Sequence, residues 1–363
     1  MNFDLSEEQV ILRDALAGYL SHHWDQQRHN QGGVPARKAL WDGIAGELGL
    51  MAIAVPERAG GSGGGLDDIM VVAQELGRCL ALDGFIPTVA YGGNLFTATG
   101  DLARLETIAS GAMVLALAHA ETGLLPDGRA VATTVTDTGL TGVKVMVAGA
   151  QLASHVIVSA MEPGQTAYSL YLVPNDAPGI ARQDFNMIDG QPSSELTLGG
   201  VAVGADMRIG AAGAGPDLHR RAADIATVAH SAEAVGMMET LIRTTVDYLQ
   251  GRSQFGQKLA AFQVLQHRLA DMVLHLEDAR SMLFQTVLAD QGDRDGFERA
   301  VTGMKVKVAE ALRFVSQQAV QLHGGMGITD ELMVGHFFKR AMTVNEAYGG
   351  PAAFRKRYEK SLG

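Results

Sequence analysis

The sequence predicts a mainly α-helical protein with a central β domain, because its hydrophobic spacing changes twice along the chain. Apolar residues recur at helical intervals through roughly the first 110 residues, then alternate at strand intervals between turn residues. From Gly215 onward the helical spacing returns and continues to the end. We therefore predict three domains. They are a helical domain over residues 1–111, a small β-barrel over 112–212 and a four-helix bundle over 213–363.

The N-terminal part carries start and stop signals for three helices. Ser6-Glu7-Glu8-Gln9 has capping-box spacing, so we expect the first helix to run from Ser6 to about Leu20. A second helix is expected over about residues 36–48, since Gly49 follows it. A third should open at Leu66.

Two further segments of this part should not be helical. Residues 51–56 are expected to be extended, because they run through Ile53 and Val55 to Pro56. The glycine-rich stretch over 60–65 lacks the Gly-x-x-x-x-Gly-Lys pattern of a phosphate loop, so a flexible connector is the favoured interpretation.

Alternating residues between turn signals such as Pro163-Gly164 predict seven strands. Their spacing indicates a small antiparallel barrel or sandwich. The strands are Met113 to Ala118, Ala130 to Val135, Gly142 to Val147, His155 to Ala160, Ala167 to Val173, Gly179 to Gln183 and Glu195 to Val203.

Three apolar stripes at helical spacing predict three bundle helices of about 30 residues, followed by a shorter fourth. The stripes are Val235, Met238, Ile242, Val246 and Leu249; Leu265, Leu269, Met272, Leu276 and Leu283; and Met304, Val308, Leu312, Val315, Ala319 and Leu322.

Composition excludes several classes of protein. The 363 residues carry a formal net charge of -11, which argues against a general nucleic-acid binder. The single cysteine, Cys79, excludes a disulfide framework or a multi-thiolate metal site and fits a reducing, cytoplasmic setting. The histidines show no metal-ligand spacing, and we expect neither a signal peptide nor a membrane span.

The segment from Arg252 to Leu259 lies between two predicted bundle helices. An arginine at a helix C-terminus is favoured by the helix dipole, and Gly256 could be an ordinary helix cap. Alternatively, Arg252 binds a phosphate and Phe255 lies flat against an aromatic ring system. These residues alone do not decide between the two interpretations.

A second segment, Gln321 to Gly327, ends a long helix in a glycine-rich turn. Glycines permit positive φ and let backbone amides approach a diphosphate, although a plain helix stop has the same composition. Because this turn and the Arg252 segment lie on successive bundle elements, both could face one elongated anion.

Together with the predicted architecture, these two segments resemble the acyl-CoA dehydrogenase family over essentially the whole chain. Further matching segments occur in the same order as in the family, and the C-terminal ones are similar to the small-subunit type of bacterial heteromeric enzymes. The matches are Phe3 to Gln9, Leu48 to Leu50, Val55 to Glu57, Gly60-Gly61, Gln74 to Arg78, Phe262 to Met272, Val320 to Gly327 and Gly335 to Arg340.

The resemblance implies a cofactor and a reaction. FAD would extend between the β domain and the bundles of two neighbouring subunits. Arg252 would contact its diphosphate, Phe255 would pack near the flavin, and Gln321, Gly324 and Gly325 would hold the ADP half of the partner's FAD. The reaction would be α,β-desaturation of an acyl-CoA, in which a carboxylate removes the α proton and the β hydrogen leaves as hydride.

The sequence departs from the family at the catalytic base. A glutamate in a Tyr-Glu-Gly segment is usual, but its place falls on Tyr348 by gap-free counting, or on Gly349 when the tyrosines are matched. The alternative base position on the first bundle helix falls on Ala226. Asp224 and Glu346 each lie two residues from these positions and are candidate surrogates, and a third alternative is that this chain has no base.

The β domain departs as well. Ala118 to Gly123 replaces a threonine-rich flavin-contacting loop, and Met146 to Ala148 replaces the usual Trp/Phe-x-Thr. Both departures suggest that this chain supplies only half of a catalytic unit and that a second chain supplies the rest. We therefore expect a smaller subunit that assembles with a larger homologous chain, acts on a bulky or carboxylated acyl-CoA and passes electrons to an electron-transfer flavoprotein. The alternatives are a self-sufficient homomeric dehydrogenase and a flavin-free structural subunit.

Overall fold

The computed structural model describes residues 5–25, 33–81, 84–122, 131–290 and 293–362. The chain divides into two compact units. The helical unit comprises Met1–Gln26, Met70–Ala81 and Thr227–Gly363, and the sheet unit comprises Gln27–Ile69 and Leu82–Ala226. The three predicted domain ranges stay a prediction.

The described helices agree closely with the expected order along the chain. A π-helical segment, Ile86–Gly92, leads directly into α4. The α-helices are α1 (Glu7–His23), α2 (Gly33–Gly46), α3 (Leu66–Arg78), α4 (Gly93–Thr99), α5 (Leu102–Ala109), α6 (Gly215–Gly251), α7 (Gln263–Ala289), α8 (Arg294–His323), α9 (Met333–Glu346) and α10 (Pro351–Lys360).

The predicted start of α1 is confirmed in detail. The Ser6 hydroxyl accepts a hydrogen bond from the Gln9 amide at 3.1 Å, and the Ser6 amide donates to Gln9 Oε1 at 3.2 Å. This capping box satisfies two amides that a helix leaves without partners. Phe3 and Asp4, which also belong to the family resemblance, lie outside the described residues.

The bundle contains the three long helices that the sequence predicts. They have 37, 27 and 30 residues, and the shorter α9 has 14. A further helix of 10 residues, α10, was not predicted separately. Met272, Leu276 and Leu283 of the predicted α7 stripe are buried, but Leu265 and Leu269 are only half-buried.

Within the helical unit, α3 and α6 cross at two glycines. A methyl group on Gly77 would overlap the backbone of Glu233, and one on Gly236 would overlap the carbonyl oxygen of Gln74. Since both obstacles are main-chain atoms, a side chain at either position would push the helices apart. The absence of side chains therefore sets the distance between α3 and α6.

Ion pairs fix the same crossing. Glu239 of α6 accepts hydrogen bonds from Arg78 Nε at 2.8 Å and from Arg280 Nη2 at 2.6 Å, so one carboxylate joins α3, α6 and α7. Burial alone would raise the pKa of Glu239, but Arg280 and Arg78 hold it below its usual value.

The sheet unit is built around one eight-stranded sheet with the order β6-β7-β3-β2-β4-β5-β8, in which β1 also pairs with β4. The central β domain is thus confirmed. Its strands are β1 (Leu115–Ala118), β2 (Thr134–Thr136), β3 (Gly139–Ala148), β4 (His155–Met161), β5 (Tyr168–Pro174), β6 (Ile180–Asn186), β7 (Pro192–Val201) and β8 (Arg208–Ile209).

One prediction about this sheet is wrong. It is not purely antiparallel, because β1 and β2 both pair with β4 in parallel. Alternation of apolar residues reports which face of a strand is buried, but it carries no information about the direction of the neighbouring strand. The predicted start of β2 at Ala130 lies outside the described residues.

The predictions for residues 51–56 and 60–65 are also wrong. Residues 51–56 form no extended strand, because 3₁₀ turns at Leu50–Ala52 and Glu57–Ala59 occupy or follow this segment. The glycine stretch is not a free connector, because the amides of Ser62, Gly63 and Gly64 donate to carbonyls of the first segment. Gly61 approaches Val55 so closely that a side chain would not fit, and this close packing explains the glycine.

Cys79 follows α3 and is half-buried. Burial raises the pKa of its thiol to about 12, so the group is a poor nucleophile. In the described part of the chain, none of the helices is both long and apolar enough to cross a membrane.

Candidate functional site

The Arg252 segment forms a small β-hairpin directly after α6. Ser253–Gln254 (β9) pairs with Gln257–Lys258 (β10), and Phe255 and Gly256 form the two-residue turn between them. Their φ angles are +53° and +82°, the combination required by a tight hairpin turn of this length. Phe255 has a conformational cost there that glycine would avoid, and the residue is 90% exposed.

Arg252 is linked to the second predicted segment through aromatic rings. Its guanidinium lies 5.9 Å from the centre of the Tyr248 ring, and that ring stacks on His323 at 4.4 Å. The Tyr248 hydroxyl also donates to the carbonyl oxygen of His323 at 3.3 Å. The two segments predicted to bind the cofactor are therefore brought together within one chain.

The charge of Arg252 is not neutralised locally. None of the described residues places a carboxylate within ion-pair distance of it, and the side chain is exposed. A guanidinium in this situation can bind an anionic oxygen at little cost in broken contacts.

The glycine turn after α8 offers exposed backbone. Gly324 has φ +61°, and a side chain at Gly324 or Gly325 would meet no atom within 4 Å. Gln321 is exposed on the last turn of α8. An extended ligand can therefore approach the main chain at this turn without a steric barrier.

His323 is buried between these groups. Its Nδ1 bonds to the Ala319 carbonyl at 2.8 Å, while its Nε2 is buried with no hydrogen-bond partner among the described residues. Burial lowers the pKa of His323, so the ring is neutral and Nε2 carries an acceptor lone pair. A ligand hydroxyl or a water molecule would satisfy this atom.

The segment expected to carry the base is strained but has no carboxylate at the matched positions. Tyr348 has φ +57°, although it is not glycine, and Gly349 follows with φ +106°. Burial raises the pKa of the Tyr348 phenol, which therefore stays protonated. Ala226 on α6 is fully buried and has no ionisable group.

The two candidate surrogates differ in environment. Asp224 is buried on the part of α6 that belongs to the sheet unit. Glu346 is exposed at the last residue of α9, and its carboxylate lies against Gly350, where a side chain would overlap it. Glu346 thus reaches the Tyr348 turn.

A buried polar cluster near this turn was not predicted. Glu233 of α6 has no exposed side-chain surface; it accepts from Arg340 Nε at 2.6 Å and bonds His230 Nδ1 at 2.7 Å. The His230 ring lies 5.8 Å from the Tyr348 ring, centre to centre. Lys305, also buried, donates to the carbonyl of Val344 at 2.8 Å.

Electrostatics explain the protonation states of this cluster. Burial alone would raise the pKa of Glu233, but Arg340 and His230 hold it below its usual value. Burial lowers the pKa of His230, with Glu233 opposing the shift. Burial also lowers the pKa of Lys305 to about 8, against the attraction of Glu346 and Glu233. At neutral pH, Glu233 is therefore ionised and His230 neutral.

The His-x-x-Glu spacing on α6 was the available signal for this cluster. It places His230 and Glu233 one helical turn apart on the same face. The partner Arg340 is 107 positions from Glu233, so no local motif connects them.

The loop that contains His119 and Glu121, which replaces the threonine-rich loop of the family, contributes a second buried network in the sheet unit. Lys144 donates to Glu121 Oε1 at 2.6 Å and to the Ser159 hydroxyl at 2.9 Å, and that hydroxyl also bonds His119 Nδ1 at 2.9 Å. Thr133 donates to Glu121 through its amide and its hydroxyl. His119 and Glu121, read from the sequence as lost flavin contacts, therefore hold this loop to the sheet.

The segment Met146 to Ala148, which replaces the Trp/Phe-x-Thr of the family, has unusual backbone geometry. Met146 lies within the register irregularity between Lys144 and Val147, has φ +54° and is 51% exposed. A single exposed apolar side chain is common on protein surfaces, so the left-handed backbone is what distinguishes this residue. Gly123, the last residue of the first departing segment, lies outside the described residues.

Comparison with known proteins identifies the family. The profile "Acyl-CoA dehydrogenase, N-terminal domain" matches residues 6–104, and "Acyl-CoA dehydrogenase, C-terminal domain" matches residues 213–357. The chain belongs to the acyl-CoA dehydrogenase family. The predicted acyl-CoA dehydrogenase fold is thereby confirmed, and so is the expected class of enzyme, an FAD-dependent oxidoreductase acting on the CH–CH bond of an acyl-CoA.

Individual members of the acyl-CoA dehydrogenase family match over nearly the whole chain. A probable acyl-CoA dehydrogenase of Bacillus subtilis, YngJ, is 27% identical, with 94% of each chain covered. The human mitochondrial short-chain specific acyl-CoA dehydrogenase is 28% identical over 86% of this chain and 79% of its own. A solved structure of a variant of the Tcur3481-Tcur3483 steroid ACAD has a TM-score of 0.86 and 29% identity, with 98% of each chain covered.

The described residues fit the diphosphate half of FAD. They supply an arginine without a carboxylate partner, an open glycine turn and a buried histidine nitrogen that lacks a hydrogen bond. These are the groups that phosphate oxygens and nucleoside hydroxyls require. The observation is independent of the family assignment, and it supports the sequence-based choice of Arg252, Gln321, Gly324 and Gly325.

Proposed function

We propose that this chain is one subunit of a heteromeric, FAD-dependent acyl-CoA dehydrogenase, in which it assembles with a larger homologous chain. The observation that carries the cofactor part of this proposal is the contact of Arg252 with Tyr248 and of Tyr248 with His323. It joins both cofactor-binding segments at one place.

Each segment has a defined task in the proposal. Arg252 neutralises the diphosphate, Phe255 packs against a ring of the cofactor, and Gln321, Gly324 and Gly325 bind the ADP half. Because the segments meet within one chain, we propose that both act on the same FAD molecule. This differs from the division between two protomers that the resemblance implied.

The reaction makes two demands on the protein. The α proton of a thioester is weakly acidic, so the thioester oxygen needs preorganised hydrogen bonds as negative charge develops on it. The group that accepts this proton must be shielded enough from water to remain basic. When bound, FAD supplies the acceptor for the β hydrogen, which leaves as hydride.

Two observations support the heteromeric assembly. The similar steroid ACAD is named for two chains, Tcur3481 and Tcur3483. In addition, this chain has glycine at the tyrosine-matched base position and alanine at the helical one, so it lacks the carboxylate that the resemblance implies for a self-sufficient enzyme. The steroid relative also supports a bulky acyl group as substrate, with a carboxylated chain as the alternative.

The remaining parts of the proposal concern the cellular setting. We place the protein in the cytoplasm, since a single cysteine allows no disulfide framework and fits a reducing compartment. Electrons would pass to an electron-transfer flavoprotein.

The cofactor assignment is tested by changing Arg252→Ala and measuring flavin absorbance per chain after purification. We expect most of the flavin to be lost, because the diphosphate loses its counter-charge. Arg313→Ala, which removes an exposed arginine from the outer surface of α8, is the control and should keep full flavin content. Equal flavin in both variants would contradict a diphosphate role for Arg252.

The assembly is tested by native mass spectrometry of the purified chain, alone and after co-expression with a larger homologous chain from the same genome. We expect a mixed oligomer with FAD in the co-expressed sample. A flavin-loaded homo-oligomer that desaturates acyl-CoA by itself would favour the self-sufficient enzyme, with Asp224 or Glu346 as its base. A mixed oligomer whose activity is unchanged by Arg252→Ala would favour the structural subunit.

A further inference from the structure

We infer that His230, held by Glu233, is the residue of this chain that accepts the α proton of the acyl-CoA. The inference rests on the proposed function, since it presumes that an acyl-CoA reacts beside the Tyr348 turn. It replaces both sequence-based surrogates, Asp224 and Glu346, by a residue that neither motif match identified.

The location follows from the contact between two elements of the helical unit. The Tyr348-Gly349 turn occupies the place where the resemblance puts the base, yet neither residue can abstract a proton there. The His230 ring packs against Tyr348 with the ring centres 5.8 Å apart. The His230 side chain is 15% exposed, so it is partly shielded from water but not sealed from a substrate.

The hydrogen bonds of His230 leave one nitrogen available. Glu233 is ionised and accepts from Arg340, so it can only accept from His230 as well. The Nδ1 atom must therefore carry the proton of the neutral ring, and Nε2 retains a lone pair. A carboxylate that orients an imidazole in this way is the usual support of a histidine base.

The surrounding charges suit a base that works near neutral pH. The groups facing His230 are Glu233 on its own helix, Arg340 on α9, Lys305 on α8 and the Tyr348 phenol. Burial keeps the ring neutral before the reaction, and Glu233 lies 2.7 Å away to stabilise the imidazolium that forms. Arg340 and Lys305 limit that stabilisation, which prevents the ring from being protonated in advance.

The turn that faces His230 is held rigidly. Lys305 bonds the carbonyl of Val344 at 2.8 Å near the end of α9, and Arg340 of the same helix bonds Glu233. Tyr348 keeps a left-handed conformation that non-glycine residues rarely adopt. Backbone strain of this kind persists only where the surrounding contacts enforce it, and it is concentrated at functional sites.

The step moves one proton and one hydride from the acyl group. The Cα–H bond breaks, its proton goes to His230 Nε2, and its electron pair forms the Cα=Cβ bond. The Cβ–H bond breaks at the same time, and its hydrogen leaves with both electrons as hydride to FAD. The acyl group is oxidised by two electrons and FAD is reduced by two.

The experiment compares His230→Asn with the unchanged protein as FAD-loaded enzyme. Asparagine can keep the hydrogen bond to Glu233 but has no basic nitrogen. The probes are octanoyl-CoA, pimeloyl-CoA and a steroid side-chain acyl-CoA, and anaerobic flavin bleaching is followed by stopped flow. We expect bleaching to slow by about 10²- to 10⁴-fold with unchanged flavin content. His267→Asn, an exposed histidine of α7, should not change the rate.

A second variant separates the base from a structural role. Glu233→Gln removes the carboxylate that stabilises the imidazolium, so the acidic limb of the pH–rate profile should move to lower pH. The ¹⁵N NMR signals of His230, identified by their loss in His230→Asn, should show the Nδ1-H tautomer in the unchanged protein. They should shift when pimeloyl-CoA binds to the FAD-free protein.

The outcomes distinguish this inference from the proposed function. A flavin-loaded protein that bleaches equally fast in the His230→Asn variant, or an Nε2-H tautomer of His230, would overturn the inference alone. A protein that takes up no FAD, alone or with its partner, would overturn the proposed function and the inference with it.

Discussion

Four described residues other than glycine have a left-handed backbone, and three of them lie in segments that the sequence marks as functional. Phe255, Met146 and Tyr348 belong to these segments, and Leu80 is the fourth. Each costs on the order of 1 kcal/mol or more compared with a relaxed conformation. The motifs predicted where these segments lie, but no sequence pattern predicted the strain, because Phe, Met and Tyr have no preference for this conformation.

Replacing Phe255 should change stability and cofactor binding in opposite directions. Phe255→Gly relieves the left-handed strain, so we expect the free energy of unfolding to rise by roughly 1 kcal/mol. The same change removes the ring and should weaken FAD binding. Urea denaturation of the FAD-free protein and a flavin titration measure the two effects. Phe255→Ala is the control, since it loses the ring but keeps the strain.

The buried ion pair between Lys144 and Glu121 should contribute far more to stability than a surface ion pair. Lys144→Met leaves Glu121 buried without its counter-charge, and we expect a loss of about 3 to 5 kcal/mol in the free energy of unfolding. Lys38→Met removes an exposed ion pair with Asp42 and should cost less than about 1 kcal/mol. Urea denaturation measures both variants. Similar costs would show that Glu121 is solvated in solution.

At the scale of elements, periodicity predicted the helices and strands well because each buries one face. The start of α3 and the bounds of β4 and β5 agree with the expected ones to within about two residues, the usual uncertainty of element ends. The parallel pairing of β1 with β4 and the turns over residues 50–59 were missed. Both depend on contacts between distant segments, which local spacing does not record.

The crossing of α3 and α6 gives a prediction about elements. Gly236→Ala places a methyl group on the Gln74 carbonyl, so the helices must separate, and we expect a loss of several kcal/mol in unfolding free energy. Gly303→Ala in α8 meets only side-chain atoms at 3.5 Å or more, and its higher helix propensity should stabilise the protein by up to about 1 kcal/mol. Thermal unfolding compares the two variants. If Gly236→Ala and Gly303→Ala changed the unfolding free energy by the same sign and size, the close approach of α3 and α6 would be contradicted.

At the scale of the whole molecule, the candidate site was only partly predictable. Arg252 and Gln321 could be named as candidates because each belongs to a motif that is continuous in sequence. The cluster of His230, Glu233 and Arg340 was not found, because folding brings together residues more than 100 positions apart. The bonding of Tyr248 to His323, which joins the two motifs, spans 75 positions.

Buried histidines in both units make the molecule sensitive to acid. Burial lowers the pKa of His119 to about 4, with Lys144 adding to the effect, and burial also lowers those of His219, His230 and His323. Below pH 6.5 the unfolded chain therefore binds protons that the folded chain does not. The stability that these groups contribute is complete above pH 6.5 and is lost as the pH falls through the folded values.

We therefore expect the urea midpoint to fall between pH 7 and pH 4, before most carboxylates titrate. The pKa of His119 alone, about 4 against 6.5, corresponds to a loss of roughly 3 kcal/mol over this range. His119→Asn should flatten the dependence, since asparagine does not titrate. Urea denaturation at intervals of pH tests the prediction, and an unchanged slope in the variant would contradict a neutral, buried His119.

The inert thiol of Cys79 has a practical consequence. Because this cysteine is the only one and its pKa is about 12, maleimide reagents at neutral pH should leave the natural chain unlabelled. A cysteine introduced at the position of Arg313 would then be the single attachment point for a fluorophore or spin label. Distances between subunits of the proposed assembly could be measured without first removing any native residue.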